Sequence, residues 1–201
     1  PQQLRRKSEF SLEFILDILE RQGLVSPEGR KDVLIKEAVY RSRILKDKGL
    51  LKEGSGFIRY EVSPVEIIAQ AKLTVPGRGI PLSEDLAMEA LAATLGFPYR
   101  KLDPLRLKLD VVTTILSRPF SRRHVVLPIE VENGRLKLAV SNPYDGELLD
   151  NVKRITGYEV DPVLCSKTDI LRIITEFFGF KRSVSSAEKV FSVGVDISNL
   201  E

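Results

Sequence analysis

Arg118, Arg122, Arg123 and His124 stand together in "SRPFSRRH", and His124 is the chain's only histidine. Guanidinium forks beside an imidazole can grip a carboxylate or a phosphate, and the imidazole can carry a proton. The flanking arginines favour the neutral imidazole, the form a general base needs. Catalysis also needs a nucleophile, and no motif supplies one. Cys165 closes the apolar run "EVDPVLC", where a thiol reads as a small buried hydrophobe. One cysteine and one histidine are too few for a zinc site. A phosphate loop needs Gly-x-x-x-x-Gly-Lys-Ser/Thr, so that backbone amides cradle the phosphates and lysine neutralises them. Gly54 and Gly56 in "GSG", and Gly77 and Gly79 in "GRG", lack that continuation and read as turns. No catalytic, cofactor-binding or metal-ligating residue is therefore assigned. Three readings of Arg118, Arg122, Arg123 and His124 stay open. They can be cations complementing a helix C-terminus, a protein-docking patch, or an anion or nucleotide site.

Most carboxylates stand at helix starts, Glu84, Asp85 and Asp169 among them, where they complement caps and the helix dipole. The net charge of +3 is too balanced for a dedicated polyanion binder, while the pI near 9.0 leaves a weak nucleic-acid-binding domain as an alternative reading. Apolar residues make up 43%, which supports a real core. No apolar run reaches the roughly 18 residues that a bilayer crossing needs, and "PQQLRRKSEF" has no apolar segment behind its basic residues. A lone cysteine fits a reducing cytoplasm. The chain begins with Pro1 and stops in a polar stretch, so it reads as part of a longer protein.

The elements that must position the basic group follow from periodicity. "SLEFILDILERQG" places Leu12, Ile15, Leu16 and Leu19 on one stripe, with Ser11 as cap and Gly23 as stop. "SPEGRKDVLIKEAVYRSRILKDKG" predicts one helix from Ser26 and Pro27 to Gly49. "KEGSGFIRYEV" predicts a loop or short strand. "SPVEIIAQAKL" has Ser63 and Glu66 at capping-box spacing, and "VPGRGIP" is a turn. "SEDLAMEALAATLG" predicts a helix from Ser83 to Gly96.

Beyond it, "FPYRKLD" suits a short strand, and "PLRLKLDVVTTILSRPF" a helix interrupted by Pro119. "VVLPIEVENGRLKLAVS" holds two alternating runs around Asn133-Gly134, the preferred pair for a type I′ hairpin. "NPYDGELLDNVKRITG" predicts a helix with Leu148, Leu149, Val152 and Ile155 inward. "YEVDPVLC" is a strand. "SKTDILRIITEFFG" is a final helix with Ser166 and Asp169 as capping box, ending at Gly179. The fold class is α+β: a helical N-terminal subdomain (1–82), then a small α/β sandwich (83–179) of order β-α-β-β-α-β-α, its mixed sheet carrying helices on one face. Residues 180–201 read as a linker.

The later motifs resemble a known family. Arg122-Arg123-His124 matches its basic corner, and Leu127-Pro128 its "LP" strand. Asn142-Pro143-Tyr144-Asp145 matches its "NP-x-D" turn, and the stretch from Thr156-Gly157 to Pro162-Val163 its "TG-x-x-V-x-P-V" step. From Ser83 to about Gly179 the chain resembles the N-terminal domain of the type II secretion ATPase, component E, and of type IV pilus assembly ATPases. The resemblance implies a non-catalytic docking and regulatory module. It tethers a hexameric motor to an inner-membrane partner, component L in type II systems, and so places the chain in the cytoplasm at the inner membrane. ATP, Mg²⁺ and the hexamer contacts are then expected only of a phosphate-loop core beyond residue 201. Some relatives bind cyclic di-GMP through a helical module carrying "RLG" ahead of "GL[VI]S". Gly23-Leu24-Val25-Ser26 keeps the second part, but Phe14-Ile15-Leu16 stands where "RLG" belongs.

Overall fold

The computed structural model describes residues 10–49 and 60–195, with 185–195 as backbone only. The first helix, α1 (Leu12–Arg21), begins where the Ser11 hydroxyl accepts from the Phe14 amide, and buries Leu12, Ile15, Leu16, Ile18 and Leu19. The single helix expected over Ser26–Gly49 is two, α2 (Pro27–Ile35) and α3 (Glu37–Asp47). They divide at Lys36, whose backbone leaves the helical well at φ −100, ψ 13. The break lets Val33 of α2 and Tyr40 and Ile44 of α3 each face the core. Most of "KEGSGFIRYEV", with Gly54 and Gly56, lies outside the described residues.

Helix α4 (Pro64–Gln70) starts with the complete Ser63–Glu66 capping box, and α5 (Glu84–Leu95) runs from the Ser83 cap to left-handed Gly96. The expected strand at "FPYRKLD" shrinks to one bridge, Tyr99 with Leu164, followed by a 3₁₀ turn over Pro104–Arg106. Pro104 and the Asp103 side chain, which accepts from the Leu105 amide, turn the chain away from the sheet there.

Pro119 does not interrupt a helix; it opens one. Helix α6 (Leu109–Thr114) ends first, and Ser117 then caps α7 (Arg118–His124), with Pro119 in its first turn. A proline there forfeits only an amide that has no intrahelical partner.

The sheet is β1 (Val126–Glu132), β2 (Arg135–Val140) and β3 (Glu159–Leu164), in that order. β1 and β2 are antiparallel, closed by Asn133 (φ 50) and Gly134 (φ 73) as a type I′ turn requires, and β2 and β3 are parallel. Pro128 and Pro162 stand on the two outer strands, where a missing ladder donor is tolerated.

Helix α8 (Gly146–Thr156) joins β2 to β3 and packs Leu148 and Val152 onto Leu136, Leu138 and Val140. Ile155, expected inward, is 56% exposed. Helix α9 (Lys167–Val195) packs Ile170, Ile173 and Ile174 onto Leu127, Ala139 and Val163. Both faces of the sheet are thus covered where one was expected, because β2 carries apolar side chains on both sides of its pleat. Gly179 does not end α9, since at that position it keeps helical φ. No helix among the described residues is long and apolar enough to cross a membrane.

The helical residues and the sheet share a core. Leu164 of β3 packs with Ile15, Leu16, Ile67 and Leu91. Tyr144 sets its ring 6.3 Å from Phe10 and 6.0 Å from Phe97.

Candidate functional site

The basic segment folds into one short helix end. In α7 the Phe120 and His124 rings meet one turn apart, with centroids at 4.5 Å. That contact gives the histidine a packing role on its own helix. Arg122, Arg123 and His124 occupy the last turn, where cations complement the carbonyl end of the helix. Among the described residues no carboxylate pairs with Arg118, Arg122 or Arg123.

The helix stops at Val125, which takes left-handed geometry, φ 53 and ψ 55, and donates its amide to the Ser121 carbonyl. A β-branched side chain in this region is a genuine outlier that the surrounding packing must hold. The turn delivers the chain directly into β1, with Val126 and Leu127 fully buried.

In the same helix as the arginines Ser121 is wholly buried, and among the described residues its hydroxyl has no hydrogen-bond partner. A buried hydroxyl left unpaired costs about 1–3 kcal/mol. Ser121→Ala is therefore expected to stabilise the fold by about 1 kcal/mol, read as a raised urea midpoint with unchanged slope.

Arg122, Arg123 and His124 stand on one rim of a cleft of about 570 Å³ between the helical residues and the sheet. The segment from Tyr60 to Pro64 and Arg41 of α3 line the same cleft. Val125, at the end of the arginines' helix, and Leu171 of α9 are partly exposed apolar residues of its lining, while Val126, Val140 and Leu148 are buried. Arg118 does not line the cleft, so the structure brings together three of the four residues singled out from sequence.

Lys167, which sequence reasoning passed over, lies at the back of the cleft with 6% of its side chain exposed. It donates to the Glu61 carbonyl and, at 3.1 Å, to Glu66 Oε2, and sits 3.9 Å from the Tyr60 ring centroid. Burial pushes its ammonium below the ordinary lysine value, against the pull of Glu66. Burial alone would raise the Glu66 carboxyl. The Lys167 charge, the Tyr60 hydroxyl and the Ser63 amide together hold it below its ordinary 4.5. Lysine at the first position of a helix carries no sequence signal of burial; only the approach of α4 creates it.

The other predicted acids also act across elements. Glu84 accepts from the Thr168 amide at 3.2 Å and hydroxyl at 2.6 Å, so it caps α9 as well as starting α5. Asp169 receives Lys101 at 2.9 Å and Arg172 at 3.1 Å, and Lys101 also pairs with Asp85. Of the expected Ser166–Asp169 box, the bond from the Asp169 amide to the Ser166 hydroxyl is formed at 3.3 Å. Cys165 is fully buried, and burial pushes its thiol up to about 12, which removes it as a nucleophile near neutrality. Where the cyclic di-GMP "RLG" would stand, Ile15 and Leu16 are wholly buried in α1, so no guanidinium is presented there.

Residues 95–184, from the end of α5 into α9, match the MshEN domain. The chain is 23% identical over 112 residues to the type IV pilus assembly ATPase TfpB of Acinetobacter baylyi, a match covering 55% of this chain and 19% of that protein. It is 30% identical over 117 residues to the type IV pilus assembly ATPase PilB of Thermus thermophilus, covering 55% of this chain and 13% of that protein. The match thus spans no more than a fifth of either curated relative. Among solved structures, MshE with cdg is 19% identical at a TM-score of 0.49, covering 81% of this chain and 97% of that one. The N-terminal domain of XpsE is 25% identical at a TM-score of 0.40, covering 71% and 93%. Residues 95–184 thus match the MshEN domain, and over about half its length the chain is similar to type IV pilus assembly ATPases.

Proposed function

We propose that this chain is the non-catalytic docking and regulatory module of a secretion or pilus motor, held at the inner membrane through a cytoplasmic partner domain. The observation that carries this reading is the rim of the cleft. Arg122 and Arg123 are exposed and unpaired by any described carboxylate, beside a wall whose apolar side chains are already fixed. Such a surface needs no reorganisation to accept an acidic partner. Arg118 extends the cationic surface along α7. ATP, Mg²⁺ and hexamer contacts belong, on this reading, to a core outside the chain.

Arg122→Glu with Arg123→Glu is expected to weaken binding to the cognate partner's cytoplasmic domain about tenfold or more by calorimetry, with the unfolding midpoint unchanged. Unchanged affinity would show that the arginines serve only their own helix end. The sensor reading is kept by the Gly23–Ser26 segment alone. A thermal-shift titration with cyclic di-GMP decides it, and no shift at millimolar ligand removes it.

A further inference from the structure

We propose that the cleft takes an extended acidic peptide, with an aliphatic side chain between its carboxylates, gripped from α7 and α3 at once. The inference rests on the docking reading above and names the form and chemistry of what docks.

The volume of about 570 Å³ falls within the range of enclosed binding sites, roughly 300–1,000 Å³, and is too small for a folded partner's face. Its charge is mainly cationic. Arg122 and Arg123 line the cleft from α7, and Arg41 lines it from α3, where its guanidinium donates to Glu37 at 2.7 Å and to the Val62 carbonyl at 3.3 Å and keeps further N–H donors. Of the two carboxylates present, Asp145 accepts from the Leu148 amide as the cap of α8, and Glu61 lies next to the Lys167 ammonium. Guanidinium groups bind carboxylates through paired N–H donors, so arginines on α7 and α3 suit acids spaced along a strand.

The lining also holds partly exposed apolar side chains, Tyr60, Pro64, Val125 and Leu171. An aliphatic side chain between two acids would reach them. A compact phosphate fits worse. Phosphates are held by free amides at helix N-termini, whereas α7 presents its carbonyl end. The two helix N-termini that border the cleft are already capped, α8 by Asp145 and α9 by Ser166 and Glu84.

The test uses short fluorescent peptides on the intact chain. One carries a leucine flanked by glutamates, a second has lysines in place of the glutamates, and a third has serine in place of the leucine. The first is expected to bind by anisotropy, with amide shifts at both Val62 and Val126, and to weaken about tenfold in the Arg122→Glu, Arg123→Glu variant. Lys31→Glu with Lys108→Glu, both exposed and outside the cleft, is expected to change nothing. The lysine and serine peptides are expected to bind more weakly.

Equal binding of the lysine peptide, no binding of the first, shifts at only one of Val62 and Val126, or displacement by equimolar inorganic phosphate each overturns the proposal. If the partner domain binds through the arginines while the peptide does not, docking stands and the peptide mode is lost. If neither binds, the docking reading fails with it.

Discussion

Lys167→Met is expected to destabilise the fold by about 3–5 kcal/mol, the largest effect of any single charge removal here. Methionine keeps the stem volume but leaves Glu66 ionised, 5% exposed and without its main counter-charge. Lys48, 3.4 Å away, is a partial substitute at the edge. Pairing Lys167→Met with Glu66→Gln is expected to restore part of the loss, because the neutral amide removes the uncompensated charge while its oxygen can still accept from the Ser63 amide or the Tyr60 hydroxyl. Urea unfolding of the two singles and the double measures this.

The same pair sets a pH dependence. The folded value of Glu66 lies below 4.5, so its contribution is present above that value and is lost as pH falls through the lowered one. Stability is expected to fall on acidification in the parent and less so in Glu66→Gln. Equal acid slopes in the two proteins would exclude the pair as the source.

Leu164→Ala is expected to cost about 2–5 kcal/mol and to loosen both parts of the molecule together. Leu164 is fully buried and belongs to β3, yet its side chain packs among α1, α4 and α5. Its backbone accepts from the Arg100 amide at 3.1 Å and donates to the Pro98 carbonyl at 2.8 Å, which ties the segment leaving α5 to the sheet. Hydrogen exchange is expected to quicken in α1 and α5 as well as in β2 and β3. Faster exchange confined to the sheet would show that the two parts unfold independently.

Legibility from the sequence tracked how local the physics was. Ser11, Ser63, Ser83 and the Asn133–Gly134 turn were readable because each cap or turn is closed by a backbone amide or dihedral within three residues. Lys36 was not, since no residue type there demands a break. It arises because Val33, Tyr40 and Ile44 must all reach one core. Pro119 misled for a related reason: a proline that stops one helix and a proline that starts the next look alike until the Ser117 cap is seen bonding to Phe120. Gly179 has the residue type of a helix stop, but glycine permits a left-handed end without requiring one.

The candidate site divides in the same way. Residue types and spacing determined that Arg122, Arg123 and His124 lie where a helix meets a hairpin, and the motifs around them carried the family resemblance. Tertiary structure alone decided that this corner and the segment from Tyr60 to Pro64 line one cleft, and that Arg118 does not line it. It also decided that Lys167 is buried against Glu66, at a separation of 101 residues along the chain. Caps and turns are fixed by bonds to near neighbours, which a sequence displays. A cleft and a buried ion pair are fixed by which distant surfaces exclude water together, and that depends on the whole packing.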